Sequence, residues 1–453
     1  MRATRLLVGV ALALAHLARA AEDDPAAPQP PTLPPSLREF ANPAEELEET
    51  PLEVDFERLL DQRYLTGNWG GWRDRLINFG IAPTLAYVAD IQGNPIGGKV
   101  RKVRYAHDIG LDLLFDLRRL FAIPGAHFHV SLSSRSGNNL SSDIDNVLIV
   151  AQACCQVTTR IVTLAWEQSL LDNRVSIRAG RIATGDDFIT SPLYWFFVNN
   201  AFDDNPLGVQ INVPYFAYPN AVWGARVRAK PIPELYVAAG VYDGNEAVTR
   251  NSQHGADFSI RHDDPVLVAA EVGYERNHGA RSDGLPGNYK IGGYYQSGRY
   301  RRFDAPAGSN LPRDYEWGNG GYYFLLDQML YREDGAQGLW PFLVLLFAAN
   351  NEISQIPTFL SGGLTHQGLI PGRDDDESLA GIVYAGFSPD LRRSQAGGPN
   401  GQQDFEMALE LSYIVEISEW LHVQPDLQYI VKPNGTGRIP DALVVGTQLA
   451  INF

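Results

Sequence analysis

The most regular feature of the chain is a two-residue alternation between apolar side chains and small or polar ones. It is clearest in the last twelve residues, Ala442 to Phe453, which form an extended segment with one largely apolar face. That face carries Leu443, Val445, Thr447, Leu449 and Ile451, and the opposite face carries Val444, Gly446, Gln448, Ala450 and Asn452. Such a strand fits a closed barrel in an outer membrane, where lipid covers the apolar face and the lumen covers the other.

The alternation recurs from Ile81 onward in segments that are long for strands. Strands of soluble proteins cluster near roughly five or six residues, whereas these segments run to about ten or twelve. About twelve residues at ~3.3 Å each, tilted by about 40°, rise about 30 Å and cross an outer-membrane band of ~25 Å. We therefore predict an all-β fold, a transmembrane antiparallel β-barrel.

The number of strands follows from parity. Fifteen segments show the pattern directly, at 81–94, 105–118, 126–137, 159–170, 174–184, 221–231, 234–243, 265–276, 288–297, 319–332, 338–349, 376–387, 404–417, 419–432 and 442–453. A barrel whose two ends both lie in the periplasm needs an even number, and Gln355 to Gln367 supplies the sixteenth strand despite Pro357. Short turns, such as Leu171 to Asn173, then fall on the periplasmic side, and long loops fall on the extracellular side, the longest from Gly185 to Ala221.

Residues 1–80 precede the barrel, and their composition divides them into three parts. Residues 1–20 are typical of a secretory signal peptide, because two arginines precede an apolar run and a small-x-small site that ends at Ala20. That run is shorter than the ~20 residues of a membrane-spanning helix. Residues 21–54 are rich in proline, alanine and glutamate and predict a flexible periplasmic arm, with or without a tethering role. Residues 55–80 form a short helical segment, with a first helix at Val54 to Tyr64, and the barrel occupies 81–453.

Charge and cysteine content exclude several classes of protein. The chain has a formal net charge of −16, and loss of residues 1–20, which hold three arginines and no acidic residue, lowers it to −19. An acidic chain of this kind argues against a nucleic-acid partner. The only cysteines, Cys154 and Cys155, are adjacent and cannot staple distant elements, although a disulfide between the two stays open. We expect no metal and no other cofactor.

Four motifs carry a resemblance to a known family. The first runs from Leu65 to Leu76, Leu-Thr-Gly-Asn-Trp-Gly-Gly-Trp-Arg-Asp-Arg-Leu. The others are Ala179-Gly180-Arg181 followed by Asp187-Phe188, the segment Gly368 to Asp375, and the segment Val423 to Ile430. Together they resemble the carbohydrate-selective porin family, known from the glucose-inducible porins of pseudomonads, in which aspartate is common where Asn68 stands here. The resemblance spans roughly residues 60 to 453 and implies a monomeric, sixteen-stranded outer-membrane barrel of a Gram-negative bacterium through which sugars diffuse.

The lumen side of the predicted barrel supplies the candidate solute contacts. The long loop from Gly185 to Ala221 holds Asp186, Asp187 and aromatic residues that would be costly to expose, so we expect it to fold inward as a constriction with Trp195 as a sugar contact. Charged side chains on strands should also point inward, because a charge on the lipid face costs ~2–4 kcal/mol at mid-bilayer. These candidates are Asp112, Arg135, Arg178, Arg226, Arg228, Glu271 and Glu410. Their alternative role is a network of ion pairs that braces the wall, and the alternative for the aromatic residues is packing against it.

The predicted function is passage of a solute without bond chemistry. A constriction must replace part of the water shell of the solute without holding it tightly, and paired donors and acceptors suit the hydroxyl groups of sugars. We therefore predict an outer-membrane porin for monosaccharides and small sugars, monomeric, surrounded by outer-membrane lipids and not an enzyme. Two alternatives stay open: a porin for other small solutes or anions drawn by the arginines, and a structural barrel plugged by its loops.

Overall fold

The computed structural model of the protein describes residues 62–153, 157–202, 205–278, 284–306, 308–333 and 337–453. The predicted signal peptide and periplasmic arm lie outside the described residues, as do Cys154, Cys155 and most of the helix predicted at Val54 to Tyr64. The structure therefore bears on the barrel and on the motif that precedes it.

A single antiparallel sheet of seventeen strands closes on itself, with sixteen long strands and one of two residues. The strands are β1 (Ile81–Ile96), β2 (Val103–Asp116), β3 (Ala126–Gly137), β4 (Thr158–Leu170), β5 (Val175–Ile182), β6 (Val222–Ile232), β7 (Leu235–Asp243), β8 (Val266–Arg276), β9 (Gly287–Arg301), β10 (Tyr315–Gln328), β11 (Tyr331–Arg332), β12 (Gly338–Ala348), β13 (Thr358–Gln367), β14 (Glu377–Gly386), β15 (Phe405–Ser418), β16 (Leu421–Val431) and β17 (Ala442–Asn452). Each long strand pairs with the next long strand, and β17 pairs with β1. Within the described residues the sheet has no free edge.

The strand count and the closure confirm the parity argument. The segment from Gln355 to Gln367 contains β13, and β17 pairs with β1 from Asn452–Ala86 to Leu443–Ile96. One predicted strand was wrong in detail: the strand expected at 319–332 ends at Gln328, and β11 then pairs separately with the start of β12. The chain leaves the β9 ladder there, where the Met329 N–H bonds to a carbonyl of the β8–β9 turn at 2.9 Å.

The two faces of the strands divide as the alternation predicted. In β15, Leu409 and Leu411 are exposed on the outside, whereas Ala408 and Glu410 are buried on the inside. Leu409 pairs with exposed apolar residues on both neighbouring strands, so the outward apolar side chains form a continuous belt. Such a belt is the surface that lipid contacts on a transmembrane barrel. The short turns lie at one end of the barrel, called the turn end, and the long loops at the other, called the loop end.

The buried core lies inside the barrel and is built by two loops. The described residues of the β3–β4 loop (138–157) and of the β5–β6 loop (183–221) fold into the lumen. Leu148 and Val150 of the first, and Phe188 and Phe202 of the second, are almost fully buried against inward residues of the wall. The two loops therefore pack against inward side chains of strands from β4 to β17.

Short helices connect the strands. The α-helices are α1 (Trp72–Phe79), α2 (Leu117–Phe121), α3 (Ser141–Ile144), α4 (Leu207–Asn212) and α5 (Pro389–Ser394), and the 3₁₀ helices are Trp69–Gly71, Thr184–Asp186, Pro192–Phe196, Glu246–Thr249, Asn251–Gln253, Pro312–Asp314 and Pro433–Gly435. Helix α1 ends at Gly80, whose φ of 108° suits glycine and turns the chain into β1. Among the helices of the described segments, none is long and apolar enough to cross a membrane.

The motif from Leu65 to Leu76 ties the start of the barrel to its last strand. The main-chain N–H of Leu65 donates to the main-chain oxygen of Asn452 at 2.9 Å. The guanidinium of Arg73 donates to the main-chain oxygen of Phe453 at 2.6 Å. The motif therefore fixes α1 at the point where β1 and β17 close the sheet.

Aromatic rings enclose the arginine of this contact. Arg73 is only 2% exposed, and its guanidinium lies 3.7 Å from the ring centroid of Tyr64 and 4.3 Å from that of Trp69. A cation–π contact contributes about 0.5–2 kcal/mol, with the larger values where water is excluded. We call this arrangement of Tyr64, Trp69, Arg73 and Phe453 the Arg73 clasp.

We expect Arg73→Lys to lower the free energy of unfolding by about 1–3 kcal/mol, because lysine keeps the charge but loses the planar group that stacks on two rings. Urea unfolding of the protein in lipid vesicles, followed by electrophoretic mobility, measures the change. Arg75→Lys, on the exposed side of the same helix, is the matched control. Equal stability of the two variants would contradict a stabilising role for the clasp.

Candidate functional site

The β5–β6 loop lies inside the barrel, as its aromatic content predicted. Phe197 and Phe202 stack with ring centroids 4.4 Å apart. Phe342 of β12 packs edge-on against both rings, at 5.4 and 6.2 Å. The loop therefore buries its aromatic side chains against one side of the wall and narrows the lumen.

Glu410 of β15 holds this loop by its main chain. Its two carboxylate oxygens accept the N–H groups of Val198 at 2.7 Å and of Asn199 at 3.0 Å. The side chain amide of Asn199 then donates to Gln428 of β16 at 2.8 Å. Glu410 is 1% exposed, so the structure places this predicted lumen residue beneath the loop rather than on the open channel.

Glu271 of β8 occupies a similar position. It accepts the hydroxyl groups of Tyr236 at 2.5 Å and Tyr323 at 2.8 Å, and it lies 3.4 Å from the N–H of Ile189 in the loop. Glu271 is 3% exposed. It points inward, but in this structure it supports the loop and does not line the free lumen.

Four of the predicted charged residues meet at the start of the loop. Arg178 of β5 bonds to Asp186 at 3.0 Å and to Asp187 at 3.4 Å. Arg226 of β6 bonds to Asp187 at 3.0 Å and to Glu167 of β4 at 3.2 Å. Glu167 was not among the sequence candidates, although it lies on the inward phase of its strand. The five side chains brace the loop against three adjacent strands.

Asp187 is the centre of this network. Its side chain is 1% exposed and also accepts the hydroxyl of Tyr242 at 2.9 Å. Burial disfavours the ionised acid, but the charges of Arg178 and Arg226 outweigh burial and hold the pKa of Asp187 below its ordinary value. Asp187 is therefore ionised at neutral pH and serves both arginines.

Arg228 continues the row of cations along β6 toward the turn end. Arg228 and Lys230 share one carboxylate, Glu275 of β8, which lies 2.7 Å from the Lys230 ammonium. The guanidinium of Arg228 also lies 3.8 Å from the ring centroid of Tyr236. About a fifth of each charged side chain is exposed, so this group faces the lumen while its charges are paired.

Asp112 and Arg135 lie on an adjoining part of the wall. Asp112 of β2 is 2.8 Å from the Nε2 atom of His129 on β3, and each side chain is 32% exposed. Arg135 bonds to Asp108 at 2.9 Å, with each side chain 10% exposed. Of these residues, Asp112 and its partner are the more accessible to a solute.

Trp195 is a partly exposed residue of the β5–β6 loop. It belongs to the 3₁₀ helix Pro192–Phe196, which begins with Ser191 accepting the N–H of Leu193 at 3.3 Å. Leu193 and Tyr194 are buried, whereas Trp195 is only partly buried. The short helix thus buries Leu193 and Tyr194 and leaves Trp195, like Pro192 and Phe196, partly exposed.

Sequence reasoning missed the β3–β4 loop as a part of the site. Its Val150 carbonyl accepts the side chain amide of Gln428 at 2.9 Å, and its Ile149 carbonyl accepts the N–H of Asn200 in the β5–β6 loop at 2.8 Å. The signal available was the apolar run from Val147 to Val150 within a predicted loop. A run of that kind is costly in water and predicts burial.

The accessible residues share a chemical character. Asp112, Glu167, Asp186 and Arg228 keep more than a fifth of their side chains exposed, and each is bonded to a group of opposite charge or to histidine. Paired charges offer strong donors and acceptors, and the indole of Trp195 offers an apolar face. In the described ranges, no group of three or more His, Cys, Asp and Glu residues is placed to hold a metal ion. The arrangement suits a polar solute that passes through without reacting.

Known porins match the chain over most of its length. It is 25% identical over 425 residues to Porin B of Pseudomonas aeruginosa, which covers 87% of this chain and 92% of that protein. It is 23% identical over 423 residues to the putative porin QuiX of Acinetobacter baylyi, covering 87% of this chain and 94% of that one. The high-pH structure of Pseudomonas putida OprB has the same fold, with a TM-score of 0.80 at 23% identity, over 87% of this chain and 99% of that chain.

A family model agrees with these relatives. The model described as the carbohydrate-selective porin, OprB family, matches residues 100–453, which include β2 to β17 and both inward loops. This is well over half of the 453 residues. The family is one of channels rather than enzymes. The chain therefore belongs to the carbohydrate-selective porin, OprB family, and is a sugar porin of the Gram-negative outer membrane.

Proposed function

We propose that the protein is a diffusion channel for monosaccharides and other small sugars, with the β5–β6 loop as its constriction and Trp195, Asp112 and Asp186 among the solute contacts. One observation carries this proposal: the loop lies in the lumen and leaves paired charges and an indole accessible beside it. The pairs exchange hydrogen bonds with sugar hydroxyl groups, and the indole packs on the C–H face of the ring. The solute crosses unchanged, so the channel has no enzymatic role.

An anion channel is the second candidate, because Arg178, Arg226 and Arg228 follow one another along the wall. Each of the three is bonded to a carboxylate. Paired arginines attract anions less than free ones, which favours neutral solutes. A barrel plugged by its loops is the third candidate, because two loops occupy the lumen.

The proposal also covers parts of the protein that the described residues leave open. We expect cleavage of the signal peptide after Ala20, a periplasmic arm over residues 21–54, and a monomer surrounded by outer-membrane lipids. Amino-terminal sequencing of the mature protein tests the first point, and its mass in detergent by light scattering tests the last.

In planar bilayers we expect an open channel whose conductance falls as glucose is titrated and does not fall with phosphate. Liposome swelling with sugars of graded size then defines the accepted class, with monosaccharides entering fastest. The absence of an open channel would support the plugged barrel. Strong anion selectivity without block by sugars would support the anion channel instead.

We expect Trp195→Ala to weaken the block by glucose about two- to tenfold, because an aromatic contact contributes roughly 0.5–1.5 kcal/mol. The dissociation constant from conductance titration measures the effect. Trp317→Ala is the matched control, since Trp317 is 74% exposed on the outward phase of β10 near the loop end. If glucose blocks the Trp195→Ala channel as strongly as it blocks the wild type, the indole serves packing alone.

We expect Asp187→Asn to loosen the constriction, because it removes the anion that Arg178 and Arg226 share. Removing one partner of a buried ion pair costs about 3–5 kcal/mol. The expected result is a noisier single-channel current and weaker block by glucose at neutral pH. Asp304→Asn is the matched control, with the same change of charge at an exposed carboxylate that bonds to Arg302 in the β9–β10 loop, outside the constriction.

The lowered pKa of Asp187 gives this network a defined response to pH. A group with a lowered folded pKa stabilises the fold above its ordinary titration range, and loses that contribution only as the pH falls through the lowered value. Mild acid should therefore leave the bridge to Arg178 and Arg226 intact. Identical currents from Asp187→Asn and Asp304→Asn would contradict the bracing role of Asp187.

A further inference from the structure

Glu406, near the loop end of β15, is a fully buried acid to which neither the predicted site nor the proposed function assigns a role. Both of its carboxylate oxygens accept main-chain N–H groups. Oε1 accepts from Val147 at 2.9 Å and from Leu148 at 2.6 Å, and Oε2 lies 3.0 Å from the Val147 N–H. Oε2 also accepts from Asn434 of the β16–β17 loop at 2.5 Å. One side chain of the wall thus holds two different loops.

These contacts contain no cation. In the described part of the chain, Glu406 forms no ion pair, and the groups that face it are the three N–H groups and the side chain of Asn146. The charged residues beside it, Asp404 and Lys432, are bonded to each other at 2.6 Å. On the adjacent strand β14, the residue paired with Glu406 is Ala385. A buried carboxylate of this kind is kept in place by hydrogen bonds alone, so each of them matters.

The segment that Glu406 holds continues to the constriction. After Val147 and Leu148, the carbonyl of Ile149 accepts the N–H of Asn200 in the β5–β6 loop at 2.8 Å. The next carbonyl, of Val150, accepts the amide of Gln428 at 2.9 Å. Gln428 also bonds to Asn199 at 2.8 Å, so a continuous chain of hydrogen bonds joins Glu406 to the back of the constriction loop.

We propose that Glu406 is a positioning residue that sets the width of the channel from the loop end, through the β3–β4 loop. The inference rests on the proposed function, because it takes the β5–β6 loop as the constriction. Glu406 does not contact the solute. It keeps the carbonyl of Ile149 bonded to the constriction loop and that of Val150 bonded to the wall. Release of the β3–β4 loop breaks the hydrogen bond from Asn200 to Ile149 and widens the pore.

Protonation is the natural way to weaken this contact. A carboxylate accepts hydrogen bonds at both oxygens, whereas a protonated carboxyl has a hydrogen on one of them. Because both oxygens of Glu406 accept N–H groups, a proton on either one removes an acceptor and places two donors against each other. The channel should therefore become wider and noisier in acid through the β3–β4 loop, while the Asp187 bridge stays intact.

The test compares Glu406→Gln with wild type and with Glu419→Gln, which removes the same charge from an exposed residue of the β15–β16 turn. Glutamine has nearly the same shape, but its NH₂ group meets N–H donors. In liposome swelling at neutral pH, we expect Glu406→Gln to admit a trisaccharide several-fold faster than either control. Its single-channel conductance at about pH 7.5 should be higher than that of the wild type and should change less than that of the wild type between about 7.5 and 4.5, the range around glutamate titration.

A trisaccharide rate and a pH profile equal to those of the wild type would overturn the inference. Heat-modifiable electrophoretic mobility shows whether the variant has folded. If it has not, hydrogen exchange of the wild type decides, because the amides of Val147, Leu148 and Asn200 should lose protection together in acid, after correction for intrinsic rates. Retained protection would also overturn the inference.

Failure of the proposed function gives a different result. If no sugar enters liposomes of any variant but the ion conductance of Glu406→Gln still depends less on pH than that of the wild type, Glu406 still positions the loops. In that case the solute, and not the positioning role, has been assigned wrongly.

Discussion

The main chain of a loop inside a barrel must find hydrogen-bond partners away from water, and this constraint organises the whole interior. A buried N–H group without an acceptor costs about 1–3 kcal/mol. Here carboxylates of the wall meet the need: Glu410 and Glu406 each accept several N–H groups, and Asp90 of β1 accepts that of Ala153 at 3.0 Å. The channel wall therefore carries acidic side chains where the loops attach, and the attached loops bury those side chains.

Cations take the complementary position. Arg226, Arg228 and Lys230 alternate along one face of β6. Carboxylates of the β5–β6 loop and of β4 bond to Arg226, and a carboxylate of β8 bonds to Arg228 and Lys230. The partly exposed charges of the lumen consequently present both signs at short range. A solute meets many donors and acceptors without crossing a field of one sign, which suits passage of an uncharged polyol better than capture of an ion.

The sequence predicted the wall better than the interior. Period-two alternation and parity were sufficient for the strands and for the closure of β17 on β1, because a lipid face and a lumen face impose opposite residue types. The same alternation showed that Glu410 and Glu271 point inward, but it carried no information on what covers them. Coverage depends on where a loop folds, and that depends on contacts between residues far apart in the chain, such as Asn199 with Gln428.

Two further differences have the same cause. The β3–β4 loop has no periodicity, so only its apolar run from Val147 to Val150 signalled burial. The break between β10 and β11 reflects a hydrogen bond to the adjacent turn, which alternation cannot anticipate. Alternation therefore indicates the face of a strand on which a side chain lies, but it does not indicate how accessible that side chain is.

The Arg73 clasp constrains the order in which the two ends of the barrel sequence reach their final positions. Arg73 and Leu65 bond to main-chain oxygens of Phe453 and Asn452, which exist in that position only once β17 lies beside β1. The motif that is synthesised before any strand can thus reach its final place only after the last strand has arrived. The motif is therefore translated early but reaches its final position late, and its contacts with Asn452 and Phe453 are complete only in a closed barrel.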